Sequence, residues 1–164
     1  TVVPESVTSI EAEAFEFCHK LTSIDIPEGV TKIGAEAFRY CDSLTSINVA
    51  SNNPIYSSEN GILYNKDKTV LISHPAGGTC TVADTVTTIG TKAFSYNEQL
   101  QSVVLPENLE IIEDKASSAT SVVLIDEVVN FVDASYKVYH GDYSIKIAGR
   151  TIIQPAFFYY LLMI

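Results

Sequence analysis

Residues 14–24 read AFEFCHKLTSI, and residues 37–47 read AFRYCDSLTSI. An Ala-Phe pair, a cysteine shortly after the Phe, and a closing Leu-Thr-Ser-Ile return together, first from Ala14 and again from Ala37. A recurrence of that quality calls for a search for a period, because periods of about 20–50 residues mark stacked or arrayed architectures. The period extends outward from this block. PESVTSIEAEAF begins at Pro4, PEGVTKIGAEAF at Pro27, ADTVTTIGTKAF at Ala83 and PENLEIIEDKAS at Pro106. The step from Pro4 to Pro27 equals the step from Ala83 to Pro106, whereas the step from Pro27 to Ala83 is more than twice as long. A longer, divergent unit therefore separates the second and third clear copies.

Each column of the repeat has one physical job. Three positions after each start stand Val7, Val30, Val86 and Leu109, and six after it stand Ile10, Ile33, Ile89 and Ile112. Just before the next start come Ile24 and Ile26, Ile47 and Val49, Cys80 and Val82, Val103 and Leu105. That i, i+2 spacing is the alternation of a strand with one buried face. The pairs Ala14-Phe15, Ala37-Phe38 and Ala93-Phe94, with Ala116-Ser117 in the fourth copy, suit a short helical turn on the opposite side, where the small Ala permits close approach and the Phe plugs the core. A unit of this size with one short strand has too little surface to bury its own apolar face, whereas stacked units bury each column on its like, about 4.8 Å away.

The expected fold is therefore a mainly β α/β repeat, a leucine-rich-repeat right-handed solenoid of about five to six rungs. Short parallel strands would line the concave face and short helical turns the convex side. LTSIDI at 21–26, LTSINV at 44–49 and LQSVVL at 100–105 fit Leu-x-x-Leu-x-Leu with aliphatic substitutions. IPEGVTKIGAEAFRYCDSLTSI at 26–47 resembles the BspA-like bacterial cell-surface class of leucine-rich repeats, with its pattern Pro-x-x-Val-x-x-Ile-Gly-x-x-Ala-Phe-x-x-Cys-x-x-Leu. NNPIYSSENGILYNKDKTVLISHPAGG, within the longer unit, is similar to a recurrent variant of that family. The resemblance covers about residues 2–124. It implies an extracellular or cell-surface, adhesin-like interaction protein without catalysis or cofactor. The departures are the fourth copy, which has Ser117 where Phe belongs and is shortened before ATSVVL at 119–124, and residues 125–164, which match no repeat.

The expected domains follow. Residues 1–124 form the solenoid, with a hairpin-bearing variant repeat at about 50–78, and 125–164 form a divergent C-terminal cap or the start of a further β-module. Within the variant, apolar segments flank Asn65-Lys66-Asp67-Lys68 and predict a hairpin with a polar loop. In the tail, YSIKIAGRTIIQ at 143–154 alternates on both sides of Ala148-Gly149-Arg150 and predicts another. A solenoid exposes its core at each end, which a cap covers. AFFYYLLMI at 156–164 would be buried against the last rung or paired as a strand, with a truncated membrane segment or an effect of where the chain is cut as the alternatives. No apolar run reaches the roughly 20 residues of a membrane helix, so no membrane insertion by this domain is expected. TVVPESV at the start reads as the end of a strand running into a turn, as in a fragment, and no targeting segment is visible.

Composition excludes several classes. Of the 164 residues 46% are hydrophobic, which argues against a disordered chain. The net charge of −10 would repel a polyanion, so nucleic acid is not an expected partner. Cys18 and Cys41 share a column with Asn97, which fits a small buried side chain bonded to loop backbone, and Cys80 falls in a core strand column. Stacked side chains point the same way, so buried thiols are expected rather than a Cys18–Cys41 disulfide. No Cys-x-x-Cys or His cluster suggests a metal. His19, His74 and His140 are scattered, Gly-x-Ser-x-Gly is absent, and Asn65-x-Asp67 lacks the rest of a calcium loop.

Two stripes remain as binding candidates for a protein or glycan partner. On the concave face, Ser23, Asp25, Ser46, Asn48, Thr79, Thr81, Ser102 and Val104 point outward, and the polar ones form a stripe with Thr22, Thr45 and Gln101 beside them. The ordinary reading of such a face is a solvated sheet that needs polar, β-tolerant residues. It also lacks the aromatic and Arg anchors of tight interfaces. Phe17, Tyr40 and Tyr96 form the second stripe, at the same place in each clear copy. Its ordinary reading is ring stacking between rungs and its functional reading is an exposed contact strip, with Tyr56 and Tyr64 as further members.

Overall fold

The computed structural model describes residues 1–75, 78–95 and 100–113, together with the backbone of strands at 123–124, 144–147 and 150–153; the side chains of those three strands and of residues 78, 79, 101 and 102 lie outside it. Among the described residues fourteen short strands follow one another. They are β1 (Ser9–Ile10), β2 (Ser23–Ile26), β3 (Lys32–Ile33), β4 (Ser46–Val49), β5 (Tyr56–Glu59), β6 (Ile62–Asn65), β7 (Val70–Ser73), β8 (Gly78–Thr81), β9 (Thr88–Ile89), β10 (Leu100–Val104), β11 (Ile111–Ile112), β12 (Val123–Leu124), β13 (Ser144–Ile147) and β14 (Arg150–Ile153). The chain is a mainly β solenoid of about four turns. The expectation of five to six rungs is too high, because the long unit folds largely as a meander rather than as a full extra turn.

Registers confirm the columns. β2 pairs in parallel with β4, placing Ser23 beside Ser46, Ile24 beside Ile47 and Asp25 beside Asn48. β1 pairs with β3 in the same step, Ile10 beside Ile33. β8 and β10 set Cys80 beside Val103, and β7, β9 and β11 run parallel through Leu71, Ile89 and Ile112. The inward residues Ile24, Ile26, Ile47, Val30, Val86, Ile89 and Val103 are buried, and Cys80 is buried among them as its column required.

The Ala-Phe block is not a helix, and no helix occurs among the described residues. The expected helical turns are replaced by a run of tight turns, and the reason is the hydrogen-bond pattern. N–H groups of Ala14, Glu16 and Cys18 donate back along their own chain, to Glu11, Glu13 and Phe15. The alternate N–H groups of Glu13, Phe15 and Phe17 donate to the next rung, to Ala35, Ala37 and Arg39 at 3.2, 2.8 and 3.0 Å. A helix would turn all of these donors back on its own chain. Stacking takes every second one instead, and the geometry puts Glu13, Phe17, Glu36, Tyr40 and Lys92 at positive φ of 54–61°. Such residues cost about 1–2 kcal/mol each, and the repeated rung-to-rung bonds hold them there.

The long unit forms an antiparallel meander, β5–β6–β7, that continues in parallel into β9. The hairpin expected about residues 65–68 is its second turn, β6–β7. The first turn is not among the expected ones, although Asn60-Gly61, both at positive φ, is a strong hairpin signal. The meander joins two cores. Leu63 packs with Ile24, Ile47 and Leu44 of the first two rungs, while Ile62, Tyr64 and Leu71 pack with Val86, Ile89 and Phe94 of the later ones. In the tail, β13 and β14 form the expected antiparallel hairpin, and β14 lies parallel to β11 through Ile111 and Ile153.

Candidate functional site

The concave stripe is split. Its strands form a β2–β4 pair and a separate β8–β10–β12 sheet. The tip of the β5–β6 hairpin sits at the free edge of β4, where the N–H of Ile47 donates to the Gly61 carbonyl at 2.8 Å and that of Val49 to Ser58 Oγ at 2.9 Å. In the first half the polar side chains bond one another. Ser46 Oγ donates to Asn48 Oδ1 at 2.7 Å, Asn48 Nδ2 to Asp25 Oδ1 at 2.8 Å, and Thr45 Oγ1 to the Thr22 carbonyl at 3.2 Å. Residues 1–3 add a further strand-like segment beside Ser23 and Asp25. Thr22, Thr45, Asn48 and Thr81 are exposed, whereas Ser23, Asp25 and Ser46 are partly covered. The side chains of Thr79, Gln101 and Ser102 lie outside the described residues, although their backbones pair Thr79 with Ser102.

The aromatic stripe is assembled by the positive-φ turns, which swing the side chains of Phe17 and Tyr40 away from the core. Phe17 stacks on Tyr40 with ring centroids 4.8 Å apart and an interplanar angle of 13°. Phe17 is 56% exposed, a large apolar ring in water. The Arg39 guanidinium lies 4.7 Å from the Tyr40 ring centre and pairs with Glu16 at 3.1 Å. On the other flank His19 Nδ1 meets Asp42 Oδ2 at 2.7 Å, a bond that again spans one repeat. An aromatic and Arg cluster with its charges already paired is the composition that dominates tight interfaces. Tyr96 lies outside the described residues. Tyr64 does not belong to the strip: it is buried, its hydroxyl accepts from the Ala83 N–H, and burial pushes its pKa up to about 12. Tyr56 is half-buried, and its hydroxyl accepts from the Ile33 N–H at 2.9 Å, so it too serves rung packing.

The cysteines are free thiols. Cys41 Sγ donates to the Phe15 carbonyl at 3.1 Å, the loop-backbone bond expected of its column, and burial pushes the thiol up to about 11. Burial likewise raises Cys80 to about 12, so neither is a ready thiolate. Cys18, in the first rung, is only partly buried. Among the described residues no three His, Cys, Asp or Glu side chains gather as a metal site, and no helix is long and apolar enough to cross a membrane.

Sequence reasoning missed Asn53, which is fully buried. Its Nδ2 donates to the carbonyls of Pro27 and Val30 at 3.0 and 2.9 Å, and its Oδ1 accepts from the N–H groups of Ile55 and Tyr56. It locks the entry to the meander. The Asn-Asn-Pro run was the available signal, since Asn before Pro is turn chemistry. Also missed was the role of His74, whose N–H donates to the Ala93 carbonyl as that of Phe15 does to Ala37.

Comparison with known proteins agrees with the column pattern. A family model described as BspA type leucine rich repeat region matches residues 1–80 and 78–146 in 6 copies. Among solved structures, a leucine-rich repeat protein from Eubacterium ventriosum is 32% identical with a TM-score of 0.60, over 71% of this chain and 32% of that one. A leucine rich cell surface protein from Faecalibacterium prausnitzii is 29% identical with a TM-score of 0.55, over 73% and 35%. The pneumococcal vaccine antigen PcpA is 26% identical with a TM-score of 0.54, over 68% and 34%. The aligned region therefore amounts to about a third of each of these relatives. No curated protein matches the chain.

Proposed function

The chain belongs to the BspA-type leucine-rich repeat family, and from that premise we propose that it is a non-catalytic interaction module of a cell-surface or secreted protein, engaging a protein or glycan partner through its aromatic strip. The observation that carries this reading is the exposed Phe17 ring stacked on Tyr40 and flanked by Arg39 and His19. An exposed ring stack presents apolar area at little entropic cost, and it suits either an aromatic hot spot or a sugar face. The surface location of the Faecalibacterium relative, as its description states, supports the same placement here.

The test is adhesion of the full chain to a panel of extracellular-matrix proteins and glycans, beside a Phe17→Ser/Tyr40→Ser variant with an unchanged circular dichroism spectrum. The reading expects at least about tenfold weaker binding by the variant, the loss of roughly 1.4 kcal/mol. It also expects little change for Ser46→Lys/Asn48→Lys on the concave face. A concave effect with an intact strip would move the site to the sheet. A second reading, a spacer that sets the reach of neighbouring domains, is favoured by the way Ser46, Asn48 and Asp25 satisfy one another. It expects no binding by the folded wild type.

A further inference from the structure

Two halves of the stack meet at one irregular step. β6 pairs with β7, but the register shifts between Leu63, which faces Ser73, and Tyr64, which faces Leu71. The same two residues part the cores, Leu63 packing with Ile24 and Ile47, Tyr64 with Val86 and Ile89. A bulge bends and twists its strand, so this step has the form of a pivot. Among the described residues only the meander's own sheet runs across it. The β1–β3 and β2–β4 ladders stop on the near side, and the β8–β10–β12 sheet lies beyond. The near side is tied to the hairpin by the N–H groups of Ile33, Ile47 and Val49, which donate to Tyr56 Oη, the Gly61 carbonyl and Ser58 Oγ.

The convex side is less closely joined. A cleft of about 240 Å³ lies there, lined by Phe38, Cys41 and Leu44 of the second rung and by Ile72, His74 and Lys92 beyond the pivot. The N–H groups of Glu36 and Phe38, which also line it, meet no backbone acceptor among the described residues. Glu36 crosses the cleft instead, by an ion pair with Lys92. Arg39 braces the near end, lying 3.5 Å from Glu36 and 3.1 Å from Glu16. The Glu36 side chain is only 11% exposed and that of Lys92 30%, so this pair is less screened than a surface one.

We propose that the stack is hinged at the Leu63–Tyr64 bulge and that the Glu36–Lys92 pair is the latch that holds its two halves together across the convex cleft. A hinge needs a pivot that absorbs the backbone change, a space that can widen and a bond that can break. The bulge, the cleft and the ion pair supply them in one layer of the stack. Opening costs the pair and the apolar contacts of the cleft but no strand ladder, so it lies below global unfolding in free energy. It turns the β2–β4 half of the polar stripe relative to the β8–β10–β12 half, a movement that one continuous sheet would resist. The hinge does not depend on the Phe17–Tyr40 strip.

The full chain carries its own probes. Cys41 is buried and lines the cleft, whereas Cys80 is buried in the far core outside that lining. Alkylation by neutral iodoacetamide, read by peptide mass spectrometry, therefore separates opening of the cleft from unfolding. Lys92→Met and Glu36→Gln are each expected to speed modification of Cys41 at least about tenfold, with Cys80 unchanged. The two variants alter the local charge in opposite senses, so acceleration in both reports opening and not a change in thiolate fraction. Glu11→Gln, which breaks the exposed pair with Lys32 in the first two rungs, should leave Cys41 as in the wild type. Cys41 unmoved in either latch variant, Cys80 accelerated as much as Cys41, or an equal effect of Glu11→Gln would each overturn the proposal. If the latch variants do not fold, the wild type decides. Raising NaCl from about 0.05 to about 0.5 M should speed Cys41 at least about twofold relative to Cys80, and an unchanged ratio would overturn the latch.

Discussion

Gly34 has no room for a side chain. A Cβ built on it would overlap the Ala12 nitrogen and lie 2.6 Å from the Glu11 carbonyl carbon, backbone atoms of the preceding rung. Gly34→Ala is therefore expected to cost about 3 kcal/mol or more in urea denaturation. Gly29→Ala, whose nearest new contact is 3.3 Å from the Glu5 carbonyl oxygen, should cost within about 1 kcal/mol. The glycine was legible in the repeat pattern, but its reason was not, because the clash is with residues of another rung. His74 gives a pH test. Burial lowers its pKa from 6.5 to about 4, so the folded form holds it neutral. Its share of stability is complete above pH 6.5 and is lost as pH falls from there toward 4, while the unfolded chain takes up the proton. Between pH 7 and 4.5 the wild type should lose up to about 2 kcal/mol more than His74→Phe. Equal losses in parallel denaturation series would show that the imidazole is not buried.

At the scale of elements, the sequence pattern and the structure agree wherever one residue has one job. Strand alternation places β2, β4, β8 and β10 correctly, since Ile24, Ile26, Ile47, Cys80 and Val103 all point inward. It fails at the Ala-Phe turns, where small and aromatic residues look helical and inter-rung hydrogen bonds decide otherwise. It fails again at β5, whose Tyr56-Ser57-Ser58-Glu59 has no apolar alternation and is held by pairing with β6 and by its entry turn. Asn53 is the lock on that entry. Asn53→Ala would orphan two buried carbonyls and two N–H groups, for a loss of about 2–4 kcal/mol. A loss below about 1 kcal/mol in equilibrium unfolding would mean that the meander is held in place by its apolar contacts alone. The aromatic strip was legible as a column, but which of its tyrosines were exposed was not. Tyr64 looks like any surface Tyr in sequence, and only the fold supplies the Ala83 N–H that lets it be buried.

At the scale of the whole molecule, the described residues form a stack of like columns interrupted once, by the long unit. Two cores meet at β6, which sends Leu63 to one and Ile62 and Tyr64 to the other. The interruption has two consequences. On the concave side a hairpin tip divides the polar stripe, and on the convex side the N–H groups of Glu36 and Phe38 meet no backbone acceptor among the described residues. The interruption thus shapes both faces of the stack. It is tested most directly by amide hydrogen exchange on the full chain, read residue by residue. Glu13 and Phe15, bonded to the next rung, should exchange at least about a hundredfold more slowly than Glu36 and Phe38. Equal protection at the four amides would mean that the ladder runs unbroken past the second rung, and the account of the long unit as an interruption of the stack would be wrong.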